Sequence, residues 1–561
     1  MTQTPGSEAF DEEVDFLIVG SGGGSFAAAL AVKDAGKTPV VLEKTDKVGG
    51  STAMSGGVLW IPNNPLLKRD GIPDSYERGL EYLAATVGDT ASGGKGVTPA
   101  RTDAYLRTGP EMVEYLEGKG IRFRRFDGWS DYYDDRPGGA PRGRSLGMTL
   151  FDTRKLGAWE GRLRRGPFPV PFKRREMHRV SLAKRTWEGR LAALALAFRM
   201  MRMRITGKHL VSAGTAIQAQ MLDAALRNDI DIRINTGVED FILSDSGAVI
   251  GVVATMDGER RRIGARDGVL LNVGGFARNQ AMRDRYHRTS TSTTWTNANP
   301  GDTGEMLERA IALGADTDNL DKAVWIPGSL PPGAEVPLMH PQDLAKPYMM
   351  LVDVNGDRFC NEAGSYMETG ERMHDVAERT GQPSWAILDS RHRNNYVWGK
   401  YPPLLTPPSW FEKGYMVKAD SLDELAAKIG VDAAGLKRSA ERMTRFAKTG
   451  VDEDFNKGGR HYDRFGGDAS VKPNPCLGAI DRPPFYAVRM FPGDVGTYGG
   501  LVTDEDGRVL KPDGRAILGL YATGNCTASV TGGVYPGAGA SIAASFIFGL
   551  RAARRAVRSN R

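Results

Sequence analysis

Near the C-terminus a phenol stands among glycines. The stretch GGVYPGAGASI, Gly532 to Ile542, places Tyr535 four residues before Gly539, so a hydroxyl donor and a backbone N–H free of any side chain fall close together on the chain. Such a pair can grip a carbonyl oxygen, and the expectation is that Tyr535 and Gly539 hold the carbonyl of a substrate. The flanking residues say what positions them. GLYATGN, Gly519 to Asn525, is a short apolar strand running into a turn at Gly524 and Asn525, and the small residues from Ser541 and Ile542 onward start a helix. Strand, turn and helix in that order suit a site that holds a cofactor and a substrate together.

The other end of the chain gives the class of cofactor. VDFLIVGSGGGSFAAALAVKDAGKTPVVLEK, Val14 to Lys44, reads as a buried strand, a glycine turn, an alanine-rich helix and a second strand ending at Glu43. This is a βαβ dinucleotide unit. Gly20 makes the turn, Gly22 and Gly23 let a pyrophosphate approach the helix N-terminus, and Ser25 occupies the third position of the glycine pattern. Glu43, with Lys44 after it, stands about twenty residues on, where an acid binds ribose hydroxyls.

Composition bounds the rest. At 561 residues the chain exceeds one ordinary core, and 40% apolar with 25% charged residues describes a globular protein. The expected class is α/β (α+β overall): a Rossmann-like nucleotide domain in two segments, 1–290 and 483–561, with an α+β substrate domain inserted at 291–482. The net charge of +6 does not call for a nucleic acid partner. Three widely spaced cysteines form no CxxC pair, and the seven histidines show no metal-ligand spacing, so neither a disulfide framework nor a metal is assigned. The N-terminus lacks an apolar signal core, which leads to an expected cytoplasmic protein. Residues 154–208 are strongly basic around the apolar run Leu191 to Phe198, which reads as a solvated basic surface or, in the sharper alternative, as a patch that touches the inner face of a membrane peripherally; the apolar run is too short to span a bilayer.

KVGGSTAMSGGVLWIPNN, Lys47 to Asn64, carries two Gly-Gly pairs separated by small and hydroxyl residues. It resembles the second flavin loop of the fumarate reductase and ketosteroid dehydrogenase superfamily of FAD enzymes. The resemblance implies FAD contacts at Gly50, Ser51, Thr52, Ser55, Gly56 and Gly57. Because Ser51 and Thr52 stand where covalent members carry a histidine, it implies noncovalent FAD. GVLLNVGGFARN adds Gly274 and Gly275 where that superfamily passes the nucleotide, and Val238 completes the expected set.

Within the superfamily the chain resembles the 3-ketosteroid Δ1-dehydrogenases over nearly its whole length, through SDYYDDRPGG (Ser130 to Gly139), RFCNEAGSYMETG (Arg358 to Gly370), GDVGTYGGLVTDEDGRVL (Gly493 to Leu510) and GGVYPGAGASI. The stretch before Thr497 lacks the histidine of the dicarboxylate-reducing branch. The resemblance implies a 3-oxosteroid 1-dehydrogenase acting on a CH–CH group: a proton leaves C2, a hydride moves from C1 to flavin N5, and an external acceptor, quinone-like or of another kind, takes the electrons. It implies an oxyanion hole of Tyr535 and Gly539, Tyr366 as the C2 base, and Tyr132 hydrogen-bonded to it, with Tyr133 as the neighbouring alternative. A glycine at 539 is expected to keep its N–H open to the substrate, and the helix from Ser541 to face the flavin's pyrimidine edge. The alternatives are a ketosteroid Δ4-dehydrogenase, an enoate or fumarate reductase, and a catalytically silent flavoprotein.

Overall fold

The structure, a computed structural model, describes residues 9–558 apart from 168, 169, 174 and 175. β1 (Glu12–Val19) ends in the wholly buried run Phe16 to Val19 and lies parallel to both neighbours, β2 (Pro39–Leu42) and the strand Glu259–Leu271. A strand flanked by parallel partners and covered on both faces must be apolar throughout, which is why FLIV shows no alternation. Ala516–Ala522 and Asp231–Arg233 extend this parallel core on its two sides, and Arg508–Leu510 adds an antiparallel edge. The strands Thr236–Leu243 and Val249–Met256 join the first half of Glu259–Leu271 as an antiparallel meander.

α1 (Gly23–Asp34) crosses the C-terminal helix Ala540–Arg558 with backbone nearly touching backbone. A Cβ on Gly24 would lie 2.3 Å from the Ser545 carbonyl oxygen, and one on Gly549 would lie 2.6 Å from that of Gly24. The glycine run is therefore a helix-packing feature as much as a phosphate loop. The crossing brings the N-terminal ends of both helices to one cavity.

A second, wholly antiparallel sheet holds Leu338–Met339, Ala323–Ser329, Phe485–Thr497, Ser384–Leu388 and Met349–Val352, with Met416–Ala419 also on the long strand. Phe485–Thr497, which the sequence reading gives to the returning nucleotide segment, thus pairs inside the inserted region. The sheets divide near Tyr498 rather than at residue 483, because that strand's partners are Ala323–Ser329, Ser384–Leu388 and Met416–Ala419. A small antiparallel sheet of Val58–Trp60, Ser145–Met148 and Phe123–Arg125 lies between the second glycine loop and the tyrosine loop that follows Ser130.

Candidate active site

A cavity of about 680 Å³ runs from the start of α1 to a cluster of tyrosines. Of the residues expected to hold the cofactor, Gly20, Gly22, Glu43, Lys44, Gly50, Ser51, Thr52, Ser55, Gly56 and Gly57 line it, as do Val238, Gly274, Gly524, Asn525, Gly539, Ser541 and Ile542. Three do not. A Cβ on Gly23 would lie 2.0 Å from the Phe546 ring, and its N–H donates to Thr52 Oγ1 at 3.2 Å. Ser25 braces the turn from beneath, donating to the Gly20 carbonyl at 2.7 Å and accepting from Asn272 Nδ2 at 2.9 Å. Gly275 packs so closely on Thr497 that a Cβ would meet Oγ1 at 1.8 Å.

The residues present fit FAD. α1 has no side-chain cap at Gly22, so amides of its first turn are left for an anionic group, and the helix dipole favours one. Glu43 is buried and fixed, accepting from Ser21 Oγ at one oxygen and from the Thr45 N–H and hydroxyl at 2.9 and 2.8 Å at the other. Lys44 Nζ is held by Thr303 Oγ1 at 2.7 Å and Glu305 at 3.0 Å. Burial pushes Asp302, which accepts from Ser51 Oγ at 2.8 Å, up to about 7. Among the described residues that line the cavity there is no histidine or cysteine to attach a flavin covalently.

At the other end four phenols converge. Tyr132 O–H donates to the Tyr366 oxygen at 3.1 Å, with ring centroids 5.3 Å apart. The Tyr535 ring lies 5.7 Å from that of Tyr366 and 5.9 Å from that of Tyr132. Tyr133 does not line the cavity and lies under the Arg460 guanidinium at 5.2 Å, and the hydroxyl partner of Tyr366 is Tyr132. The sequence reading missed Tyr462, which lines the cavity with its ring centroid 4.2 Å from that of Tyr132. No signal in the HYDRF stretch marks it. Its place comes from Asp134, beside the tyrosine loop, whose carboxylate accepts from the His461 and Tyr462 N–H groups at 3.2 and 2.7 Å.

The tyrosine loop is held from several sides. The Tyr132 N–H and the Tyr82 hydroxyl both donate to the Pro536 carbonyl, at 3.0 and 2.7 Å, which fixes the Tyr132 backbone against the loop carrying Tyr535. Asp131 accepts from Trp60 Nε1 and Arg144 Nη1, both at 2.8 Å, and Arg144 also donates to Asp74 at 2.7 Å. Burial still pushes Asp131 up to about 6. Tyr366 is the first residue of the helix Tyr366–Thr380, where the positive end of the helix dipole favours negative charge.

Burial raises the titration of Tyr366 well above that of an ordinary phenol; the hydrogen bond from Tyr132 opposes this, because it favours the Tyr366 anion. Burial also raises Tyr535, opposed by the Ser541 hydroxyl at 2.9 Å and by the backbone N–H groups of Ser541 and Gly539 that face its oxygen. Gly539 also has a packing reason to be glycine. Its φ is +88°, and a Cβ would lie 1.9 Å from the Val58 carbonyl oxygen. That conflict is with the adjoining strand. Trp325 is buried against His287 and His374 and Trp295 stacks on Phe491, so neither forms a wall of the cavity. Lys44, at the nucleotide end, is the one basic residue among the described residues lining the cavity.

Residues 15–542 match the family described as FAD binding domain. A 3-oxosteroid 1-dehydrogenase of Mycobacterium tuberculosis is 38% identical over 559 residues, covering 97% of this chain and 98% of its own. A 4-oxocyclohexanecarboxylate 2-dehydrogenase of Sinomonas cyclohexanicum is 33% identical over 556 residues, covering 96% of this chain and 92% of its own. The crystal structure of 3-ketosteroid delta1-dehydrogenase from Sterolibacterium denitrificans in complex with 1,4-androstadiene-3,17-dione superposes with a TM-score of 0.91 at 36% identity, covering 98% of this chain and 100% of that one.

Proposed function

This chain belongs to the FAD-dependent 3-oxosteroid 1-dehydrogenase family, and from that premise we propose that it desaturates the C1–C2 bond of a neutral 3-ketosteroid. Bound FAD supplies the hydride acceptor, N5. Tyr535 O–H and Gly539 N–H hold the C3 oxygen and stabilise the charge that develops there when C2 loses its proton, each donor contributing about 3 kcal/mol. Tyr366 takes the C2 proton, and Tyr132 lowers the cost of its anion by donating to it.

The observation that carries this reading is the convergence of these phenols at an end of the cavity lined by no described cation. A dicarboxylate, or the carboxylate of an oxocyclohexanecarboxylate, would be buried there without a counter-ion, which is costly. A neutral ketone is not penalised. The test is Tyr535→Phe with androst-4-ene-3,17-dione. The expected result is a loss of kcat of roughly 10²–10³ with FAD still bound. Unchanged turnover would refute the assigned role, and a double bond at C4–C5 of a 5α-reduced substrate would transfer the chain to the Δ4 reading.

A second reading concerns where substrate enters. In the helix Trp187–Thr206, Gly189, Ala192 and Leu196 face the protein, while Trp187, Leu191, Leu194, Phe198, Met201 and Ile205 project outward, Trp187 and Ile205 with three-quarters of their surface exposed. Arg190, Arg202 and Arg204 accompany this stripe on a helix with no described span long and apolar enough to cross a membrane. The adjoining helix Glu176–Ser181 lends Met177 and Ser181 to the cavity wall. Of the basic segment, Phe168, Pro169, Arg174 and Arg175 lie outside the described residues. We read the stripe as a surface that rests in an anionic leaflet, where a steroid and a quinone-like acceptor both dissolve. Flotation with phosphatidylglycerol vesicles at low salt should carry the protein upward and Leu191→Gln/Phe198→Gln should not float. Wild type left wholly in the aqueous fraction sinks the idea.

A further inference from the structure

Arg101 is a buried cation for which the proposed chemistry has no use. It lies on the helix Pro99–Gly118, 1% exposed, and its Nη1 donates to the Gly96 and Ala528 carbonyls at 2.6 and 3.0 Å. Its Nε is buried with no hydrogen-bond partner. Among the described residues no carboxylate lies within ion-pair distance of it. Asp504, which attracts it from further away, is already bonded to Arg508 Nε at 2.6 Å. Burial pulls the guanidinium down only to about 10, so it stays charged at neutral pH. Its guanidinium lies over the Phe548 ring, 4.9 Å from the centroid, but an interior cation with no carboxylate partner is still expensive to maintain unless a negative group comes near it.

The place where one comes near can be located. Arg101 borders a small void of about 20 Å³, enough for one water, whose walls include Gly524, Asn525 and Ser541. The same three residues line the main cavity. The void thus shares part of its wall with the main cavity where the C-terminal helix begins, the position assigned above to the flavin's pyrimidine edge. We propose that Arg101 is a positioning and charge-compensating residue that stabilises the reduced, negatively charged flavin across this void, and so raises the cofactor's affinity for electrons. The proposal rests on the FAD assignment and adds to the N-terminal dipole of the helix Ala540–Arg558 a full charge from a different part of the chain.

The experiment measures the dye-equilibrated two-electron midpoint potential and the affinity for sodium sulfite, which adds to flavin N5 and leaves negative charge at the pyrimidine edge. The holoenzyme is compared with Arg101→Gln and Arg101→Lys. Removing the charge should weaken reduced over oxidised flavin by about tenfold, a downward shift of about 30 mV for a two-electron couple, and weaken sulfite binding by a similar factor. Arg101→Lys, which keeps the charge, should stay within about threefold of wild type. Flavinated Arg101→Gln with unchanged potential and sulfite affinity overturns the proposal. If Arg101→Gln fails to retain FAD, a wild-type holoenzyme that forms no sulfite adduct overturns it as well. Wild-type protein that purifies without flavin would overturn the cofactor assignment itself.

Discussion

The two ends of the cavity are built from different materials. The nucleotide end presents backbone: glycines, the uncapped start of α1, and short hydroxyl side chains from two loops close together in sequence. The tyrosine end presents side-chain hydroxyls from Tyr132, Tyr366, Tyr462 and Tyr535, held by a buried ion pair, a shared carbonyl and a carboxylate that caps a neighbouring turn. Backbone donors are present whatever residue is placed beside them, so recognition at the first end is distributed and tolerant of the loss of any single side chain, though not of a Cβ on its packed glycines. At the second end, the Gly539 N–H apart, each donor is one atom on one side chain. Removing it removes the function.

That contrast can be broken or sharpened in decreasing order of effect. Tyr366→Phe deletes the proposed proton acceptor and should lower kcat by roughly 10²–10⁴ while leaving the flavin spectrum intact; turnover within a few-fold of wild type would show that the base lies elsewhere. Arg144→Gln strands the buried carboxylates of Asp74 and Asp131, which Arg144 meets at 2.7 and 2.8 Å, and should cost about 3–5 kcal/mol in denaturant unfolding. A loss below about 1 kcal/mol would mean that the tyrosine loop does not depend on this pair.

Tyr132→Phe tests the sign of the phenol coupling. If Tyr366 is the base proposed above, its active form is the anion and activity rises with pH through its titration. The hydrogen bond from Tyr132 holds that titration lower than burial alone would set it. Its removal should move the rising limb of the kcat/KM profile to higher pH, and a limb that stays in place or moves down would contradict the assignment. Thr52→Ala, at the nucleotide end, takes away the acceptor of the Gly23 N–H at 3.2 Å and should weaken FAD retention by only about 1 kcal/mol. A complete loss of FAD from this single change would erase the contrast between the two ends.

The two ends also differ in how far sequence alone could specify them. A βαβ glycine turn is short-range, so strand, turn and helix follow from neighbouring residues, and most of the residues expected to hold the nucleotide line one cavity. The exceptions are instructive. Gly23 and Gly24 are small because of Phe546 and Ser545, and Gly539 because of Val58; each partner lies hundreds of residues away, and nothing beside the glycine in sequence reveals it. Tyr462 was invisible for the same reason, since its contact with Tyr132 depends on Asp134 reaching across to another segment. The strand Phe485–Thr497 reads like the start of the returning nucleotide segment, yet it belongs to the second sheet, because pairing partners decide sheet membership and pairing is non-local.

By itself the sequence determined the dinucleotide unit, the FAD class and the ketosteroid dehydrogenase resemblance, because these rest on glycines, apolar runs and motifs whose meaning is carried by adjacent residues. Only the tertiary structure decided that Tyr132 rather than Tyr133 meets Tyr366, that the tyrosine end is lined by no described cation, and that Arg101 is buried near the start of the C-terminal helix with no carboxylate partner among the described residues. Each of these depends on which distant segments share a small volume, and therefore on packing and charge compensation that no local pattern encodes.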